Sequence, residues 1–387
     1  MRISAIQTFV LKVPRHDRFG GQSEQPQTLL DTDYYFEKEW REIYSRNSES
    51  LLVRVDTDEG IYGWGEGQAP IVPEVAATII DRVLAPVLIG ADPRENIALW
   101  DKLYSTLNNR GQITGFMLDA IAALDIAFWD IKGKAAGEPV WRLLGGSARS
   151  RFPGYVSGIR ADTDEARADL ALEHFEAGFA GVKLYLGRGV EQDIAQATLV
   201  RQRVGPGRRL MADLFWKYTL PEAQRLGRAL QELGIEWLES PLQPEDVHGH
   251  SKLAQSLDVA IAVGEPLRTR YQFLDWFRLG ALDLAQPDIA RCGITEGRRI
   301  ADLASAWHLP VAFHLGICFG IGILATWHVA AATPNFLIME HHPPMFEISN
   351  QFLREPLALD HGKVVLSDRP GLGADIDVNA LERWVAR

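Results

Sequence analysis

Cysteine is scarce. Only Cys292 and Cys318 occur in 387 residues, and neither stands in a metal-like or redox-like spacing, so a disulfide framework is excluded and both read as small buried apolar residues. Long hydrophobic runs are also lacking: no apolar stretch approaches the ~20 residues that cross a bilayer, which excludes a membrane role. The opening Met-Arg-Ile-Ser-Ala-Ile-Gln has no apolar signal-peptide core, and a cytoplasmic location is expected. Positive charge is in deficit. With 40 Lys and Arg against 51 Asp and Glu, the net charge is −11, which speaks against a nucleic-acid partner, since such binders carry a basic face. A small anionic substrate remains compatible, because local cations and metal govern its binding. The 47% hydrophobic and 24% charged residues are ordinary for a globular protein.

What is present is a rhythm. Between Gly181 and Glu340, short apolar runs each end in a polar residue: Lys183 with Tyr185, Asp213, Glu239, Glu265, Asp288, His314 and Glu340. Steps of 26 residues join Asp213 to Glu239, Glu239 to Glu265, Asp288 to His314 and His314 to Glu340, with a step of 23 from Glu265 to Asp288. Each run reads as a buried parallel strand followed by a helix, and Phe152 to Ser157 supplies an eighth strand. Eight such units predict a TIM-type (β/α) barrel, in which residues at the strand C-termini converge on one face. The polar strand ends therefore describe a single site.

A barrel takes about 250 residues, which leaves roughly 130 for a second unit. Residues 1–13 and 51–66 read as antiparallel strands with Asp58-Glu59-Gly60 as a turn. Between them, Arg15 to Asp31 reads as a loop and Tyr34 to Ser45 as a short amphipathic helix. Val72 to Thr106 and Gly115 to Lys134 are helical in pattern, the latter apolar on nearly all sides and so expected to be buried. The expected division is an N-terminal α+β capping domain over 1–135, the barrel over 136–360, and a C-terminal segment, 361–387, returning to the capping domain.

Several segments together resemble the enolase superfamily, mandelate racemase subgroup, over nearly the whole chain: Thr57-Asp-Glu-Gly-Ile-Tyr-Gly-Trp-Gly-Glu, Ala123-Leu-Asp-Ile-Ala-Phe-Trp-Asp-Ile-Lys-Gly-Lys, Trp237-Leu-Glu-Ser-Pro, Gly264-Glu-Pro, Gln286-Pro-Asp-Ile-Ala-Arg-Cys-Gly-Ile-Thr-Glu and Asp368-Arg-Pro-Gly-Leu-Gly. The resemblance implies a capping domain on a modified barrel, a divalent metal, usually magnesium, and abstraction of a proton α to a carboxylate. That reaction makes an enediolate, whose added negative charge needs a fixed cation. Asp213, Glu239 and Glu265 are the implied Mg²⁺ ligands, hard oxygens that leave room for substrate and water. One such carboxylate alone would as readily be a helix cap.

Asp288 and His314 resemble the family's Asp-His dyad, the carboxylate fixing the imidazole tautomer and raising its basicity. Glu340 resembles the strand-eight glutamate that, protonated, hydrogen-bonds the substrate carboxylate. Strand two departs from the family's Lys-X-Lys: Lys183-Leu184-Tyr185 puts a tyrosine at the base position, facing the site with Lys183. A phenol serves as a base if a neighbouring ammonium favours its phenolate, or otherwise as an acid. Lys183 is its expected partner or a ligand for the substrate carboxylate. After strand three, where the family often has Asp-X-Asn, this chain reads Asp213-Leu214-Phe215-Trp216-Lys217, and Phe215 and Trp216 are expected either to shape the substrate pocket or to serve as packing.

The leading expectation is an Mg²⁺-dependent acid-sugar dehydratase, a hydro-lyase that gives a 2-keto-3-deoxy acid from an aldarate or aldonate. The alternatives are a racemase or epimerase using Tyr185 and His314, and a non-catalytic ligand-binding barrel. A homo-oligomer is expected. The segment from Arg15 to Arg46 is expected to close over the site, with Arg15, Arg41 or Arg46 reaching the far end of a dicarboxylate substrate.

Overall fold

The computed structural model describes residues 1–15, 28–30, 33–37, 42–146 and 151–386. Strands β1 (Ile3–Pro14), β2 (Thr28–Leu29), β3 (Tyr34–Glu37), β4 (Glu42–Ser45), β5 (Asn47–Thr57) and β6 (Tyr62–Gly67) form the N-terminal part. β7 (Arg151–Ser157), β8 (Gly181–Tyr185), β9 (Arg209–Asp213), β10 (Ile235–Glu239), β11 (Ala260–Val263), β12 (Leu284–Ala285) and β13 (Met339–His341) form the barrel, and β14 (Leu359–Asp360) and β15 (Lys363–Val365) follow. Among the described residues no helix is long and apolar enough to cross a membrane.

In the N-terminal domain β1, β5 and β6 make an antiparallel sheet. Its expected turn forms, with Gly60 at φ 79° and its N–H bonded to the Thr57 carbonyl. The helix Phe116–Ala136 lies against this sheet and against the barrel helix Ile289–Ala306, so every residue from Met117 to Ile131 is buried. That double contact explains the all-round apolar pattern.

The barrel runs β7 to β12 in sequence order, each strand parallel to the next. The seventh position, expected as a strand ending at His314, is a row of parallel bridges: Val311 to Ala285 and to Phe336, and His314 to Asp288. β13 then pairs with β7 and closes the ring. Tyr155, Met211, Trp237, Ala262, Leu284, Ala312 and Ile338 pack as one cluster in the interior, filling it as a barrel of this width requires.

Two expectations are corrected. Tyr34–Ser45 is not a helix; its described residues form the β3–β4 hairpin. Tyr35 and Glu37 are buried while Tyr34 and Phe36 are half-buried, a period of two, and the Tyr35 and Tyr44 rings stack across the hairpin at 6.0 Å. The reading of Arg15 to Asp31 as loop holds an exception at Thr28–Leu29, which pairs with β3. The second correction concerns segment 361–387, expected to return as a whole to the capping domain. It divides: β15 joins the barrel sheet antiparallel to β7, whereas further on the Trp64 indole N–H donates to Asp375 at 2.8 Å and the Ala386 N–H to the Val10 carbonyl at 2.8 Å.

Candidate active site

The parallel register sets Glu239 beside Asp213 and Tyr185 beside Asp213. Glu265 follows β11 by two residues, and Asp288 caps the helix Ile289–Ala306 with its side chain on the Ala290 N–H at 2.9 Å. Lys183, Tyr185, Asp213, Trp216, Glu265, His314 and Glu340 all line one cavity of about 250 Å³. Glu239 is buried against it, accepting from Gln286 Nε2 at 2.6 Å and the Trp237 indole at 3.3 Å. The strand ends thus converge as the spacing requires.

At the centre stands a cation from the chain itself. Lys183, 1% exposed, places Nζ 2.5 Å from Glu239, 2.9 Å from Glu340 and 3.8 Å from Asp213. Among the described residues no three carboxylate or imidazole groups meet at metal-ligand distances: of the expected trio, Asp213 and Glu265 line the cavity and Glu239 is buried on Lys183, without the three being drawn to one point. The donor chemistry nonetheless fits a hard divalent ion. The Asp213 carboxyl is pushed well above its ordinary range, first by burial and then by the charges of Glu239 and Glu265, with Lys183 opposing. More negative charge is gathered here than one ammonium balances.

Glu340 differs from its expected neutral, donating form. Burial raises its pKa, but Lys183 and His314 outweigh burial and hold it down to about 2. It is an ionised acceptor, taking the Leu315 N–H at 2.8 Å. The dyad is formed as expected, with His314 Nδ1 2.7 Å from Asp288 Oδ2. Burial lowers the imidazole pKa, yet Glu265, the Asp288 bond and Glu340 together raise it to about 9.

Tyr185 is not set up as a phenolate. Burial raises its pKa more than Arg160 and Lys183 lower it, so the phenol keeps its proton near neutral pH. Its hydroxyl lies 3.3 Å from Ser157 Oγ, and the Arg160 guanidinium stands 5.8 Å from the ring centre. Phe215 and Trp216 have φ of 51° and 60°, a left-handed backbone that side chains rarely adopt. It is held by the Phe215 N–H on Asp213 at 3.0 Å and the Trp216 N–H on the Ser240 carbonyl at 2.6 Å.

Of the three arginines expected over the site, Arg15 lines the cavity. Arg46 does not: its side chain is exposed, and its carbonyl accepts from the Arg15 N–H at 2.9 Å. Arg41 lies outside the described residues. The hairpin itself contributes Glu42, Ile43, Tyr44 and Ser45 to the wall, and Glu42 pairs with Lys217 of the barrel at 3.7 Å.

Three functional side chains escaped the sequence reading. Gln286 holds Glu239, and Arg291 approaches Glu265 at 3.5 Å. Gln68, with its amide turned so that both ends are satisfied, donates to Asp288 and accepts from Arg291 at 3.0 Å. The first two lie within the recognised run Gln286-Pro-Asp-Ile-Ala-Arg, two residues before and three after the dyad aspartate, and that proximity was the available signal.

Two family models match the chain: the mandelate racemase / muconate lactonizing enzyme N-terminal domain over residues 43–145 and the enolase C-terminal domain-like model over residues 166–380. The chain is 35% identical to D-galactarolactone cycloisomerase of Agrobacterium fabrum over 86% of its own length and 90% of that protein. It is 32% identical to arabinonate dehydratase of Saccharolobus solfataricus, over 87% and 90%. Among solved structures, a member of the enolase superfamily from Agrobacterium tumefaciens superposes with a TM-score of 0.96 at 32% identity, covering 100% of this chain and 99% of that one. A racemase from Streptomyces coelicolor with bound magnesium superposes at 0.86 and 28% identity, covering 99% and 100%.

Proposed function

The chain belongs to the mandelate racemase / muconate lactonizing enzyme group of the enolase superfamily, and we propose from that premise that it is a magnesium-dependent dehydratase of an acid sugar. The observation that carries this reading is an asymmetry of the cavity: an Asp-supported imidazole on the strand-seven wall, and an ammonium with a neutral phenol on the strand-two wall. A racemase needs a competent base on each face of the α-carbon. Elimination needs only one.

In this reading Lys183 binds the substrate carboxylate and His314 Nε2 takes the α-proton, the bonding electrons passing into the carboxylate as an enediolate. Asp288 holds Nδ1 protonated and keeps Nε2 directed at the substrate. Asp213, Glu239 and Glu265 are the residues that would hold magnesium, which when bound supplies the charge the enediolate oxygens require and offsets the Glu265 charge that keeps His314 protonated. The enediolate collapses by expelling the β-hydroxyl, and His314 returns its proton to that oxygen as water departs. The enol left behind tautomerises to a 2-keto-3-deoxy acid. Tyr185 hydrogen-bonds a substrate hydroxyl as a neutral donor.

A second reading is favoured by the identity to a cycloisomerase: the same proton is removed, but the oxygen expelled belongs to a lactone ring, so nothing is lost from the molecule. The two are separated by mass spectrometry on a panel of aldonates, aldarates and their lactones incubated with the Mg²⁺-loaded protein. Loss of one water, abolished by EDTA and restored by Mg²⁺, is the expected result. An isomer of unchanged mass formed only from a lactone assigns the second reading, and turnover indifferent to chelation, or none with any acid, sinks both.

A further inference from the structure

The capping domain reaches the dyad through one side chain. Gln68 follows β6 by one residue and is 2% exposed. Its N–H donates to the Ala290 carbonyl at 2.8 Å, and the Ala290 N–H in turn donates to Asp288 Oδ1 at 2.9 Å. Its amide nitrogen donates to Asp288 Oδ2 and lies 3.2 Å from Oδ1, while its amide oxygen accepts from Arg291 at 3.0 Å. Backbone and side chain thus grip the Asp288 turn together. The amide also lies beside the imidazole, for a Cβ at Gly316 would stand 2.5 Å from the Gln68 amide and 2.8 Å from His314 Cε1. Arg291 offers only donors and an ionised Asp288 only acceptors, so a primary amide, which carries both, satisfies the two at once. Burial works against the Arg291 charge, but Glu265 and Asp288 outweigh it. The charged guanidinium is therefore a rival for the carboxylate that His314 Nδ1 holds at 2.7 Å, since charge-assisted arginine–carboxylate pairs are among the stronger hydrogen-bonded contacts.

We propose that Gln68 is a positioning residue for the reaction: the capping domain sets its amide between Arg291 and Asp288, so that the carboxylate stays on His314 Nδ1 and Nε2 stays aimed at the substrate. The inference rests on the reading of His314 as the group that takes the α-proton. With the amide in place, Arg291 bonds Gln68 and reaches Glu265 at 3.5 Å. Without it, Asp288 Oδ2 is released to turn toward Arg291, and the imidazole loses the partner that orients it. Support of this kind acts on the transfer of the proton rather than on the binding of the substrate.

Two variants test this. Gln68→Met keeps the length of the side chain and removes both of its hydrogen bonds, whereas Gln68→Glu keeps an acceptor for Arg291 and sets a carboxylate against Asp288. Proton NMR of the Mg²⁺-loaded protein without substrate reads the low-field His314 Nδ1–H resonance, assigned by its loss in His314→Asn. That resonance is expected to move upfield in both variants. On the acid sugar that wild type dehydrates, kcat is expected to fall by about 10- to 10²-fold with KM within about threefold. Gln68→Glu keeps the test alive if Gln68→Met fails to fold. A resonance unmoved in both variants, or a kcat within about threefold of wild type in both, overturns the proposal. A KM raised about 10-fold with kcat unchanged also overturns it, making Gln68, which lines the cavity, a contact for the substrate. Full activity in Gln68→Glu beside a loss in Gln68→Met overturns the donation to Asp288 and leaves only the bond to Arg291. A resonance that moves, with no acid sugar eliminated by wild type, upholds the hold of Gln68 on the dyad while removing the dehydratase reading.

Discussion

Lys183 shows how one residue sets the charge state of its neighbours. Its ammonium is held well above the ordinary lysine range by Glu239, Glu340, Tyr155 and Asp213 against the opposing cost of burial, and in turn it keeps Glu340 ionised. The strand-two wall therefore carries no free base, and in the proposed reaction the proton transfer falls to His314. His314→Asn is expected to lower kcat by at least about 10², the lower end for a lost acid-base group, with loss of α-hydrogen exchange into solvent deuterium. Exchange that survives in His314→Asn and disappears in Tyr185→Phe would move the base to Tyr185 despite its raised pKa.

Among elements, the β6 strand and the helix Phe116–Ala136 approach more closely than side chains allow. Gly63, Gly65 and Gly67 alternate along one face of β6 and meet the helix backbone, and a Cβ at Gly65 would stand 1.8 Å from the Ala123 carbonyl oxygen. Since that neighbour is backbone, the helix must move away, and overpacking of this kind costs about 1–3 kcal/mol or more. Gly65→Ala is expected to lower the midpoint of thermal unfolding by several degrees; an unchanged midpoint would mean that sheet and helix part freely.

The strand ends were legible in the sequence, because a buried parallel strand declares itself in a short apolar run and a βα repeat fixes the interval, whereas the glycines of Tyr62-Gly-Trp-Gly-Glu-Gly take their meaning only from the helix packed on them. The β3–β4 hairpin was not visible. Its residues Tyr34, Tyr35, Phe36 and Glu37 pair across the hairpin with Ser45, Tyr44, Ile43 and Glu42, and a run of four residues is too short for its alternation to stand out without that partner strand. Gln286 and Arg291 were hidden for a related reason: their partners Glu239 and Glu265 lie two and one strand positions away around the ring, and only the packing of neighbouring strands brings them together.

At the scale of the whole molecule the site depends on two domains staying joined, since Gln68, Tyr44 and Arg15 come from one and the strand ends from the other. Buried polar groups form much of the seam. Asp125 accepts the Thr295 N–H at 2.8 Å and its hydroxyl at 2.6 Å, and Glu66 accepts the Gly322 N–H at 2.8 Å. Burial raises both carboxyls to about 7 against those bonds. Groups of this kind contribute stability below their unfolded pKa that is lost as the pH rises through about 7.

His328 works in the opposite direction. Its Nδ1 accepts the Trp141 N–H at 3.0 Å and its Nε2 donates to the Leu372 carbonyl at 3.1 Å, tying the barrel helix Gly320–Ala331 to the interdomain link and to the C-terminal segment. Burial pushes its pKa down to about 4, only partly offset by the Leu372 bond. The unfolded chain, with a histidine pKa of about 6.5, binds the proton first as the pH falls. The neutral ring therefore contributes stability above about pH 6.5 that is lost as the pH drops toward 4, by up to about 3 kcal/mol. Because Glu66 and Asp125 shift stability the other way over part of this range, the wild-type profile alone does not isolate the histidine. The difference between wild type and His328→Gln does: measured by urea unfolding, it is expected to be largest at pH 7 and to shrink steadily toward pH 4. A difference that stays constant across that range would show that His328 takes up no proton on unfolding, and that the seam's acid sensitivity lies with other groups.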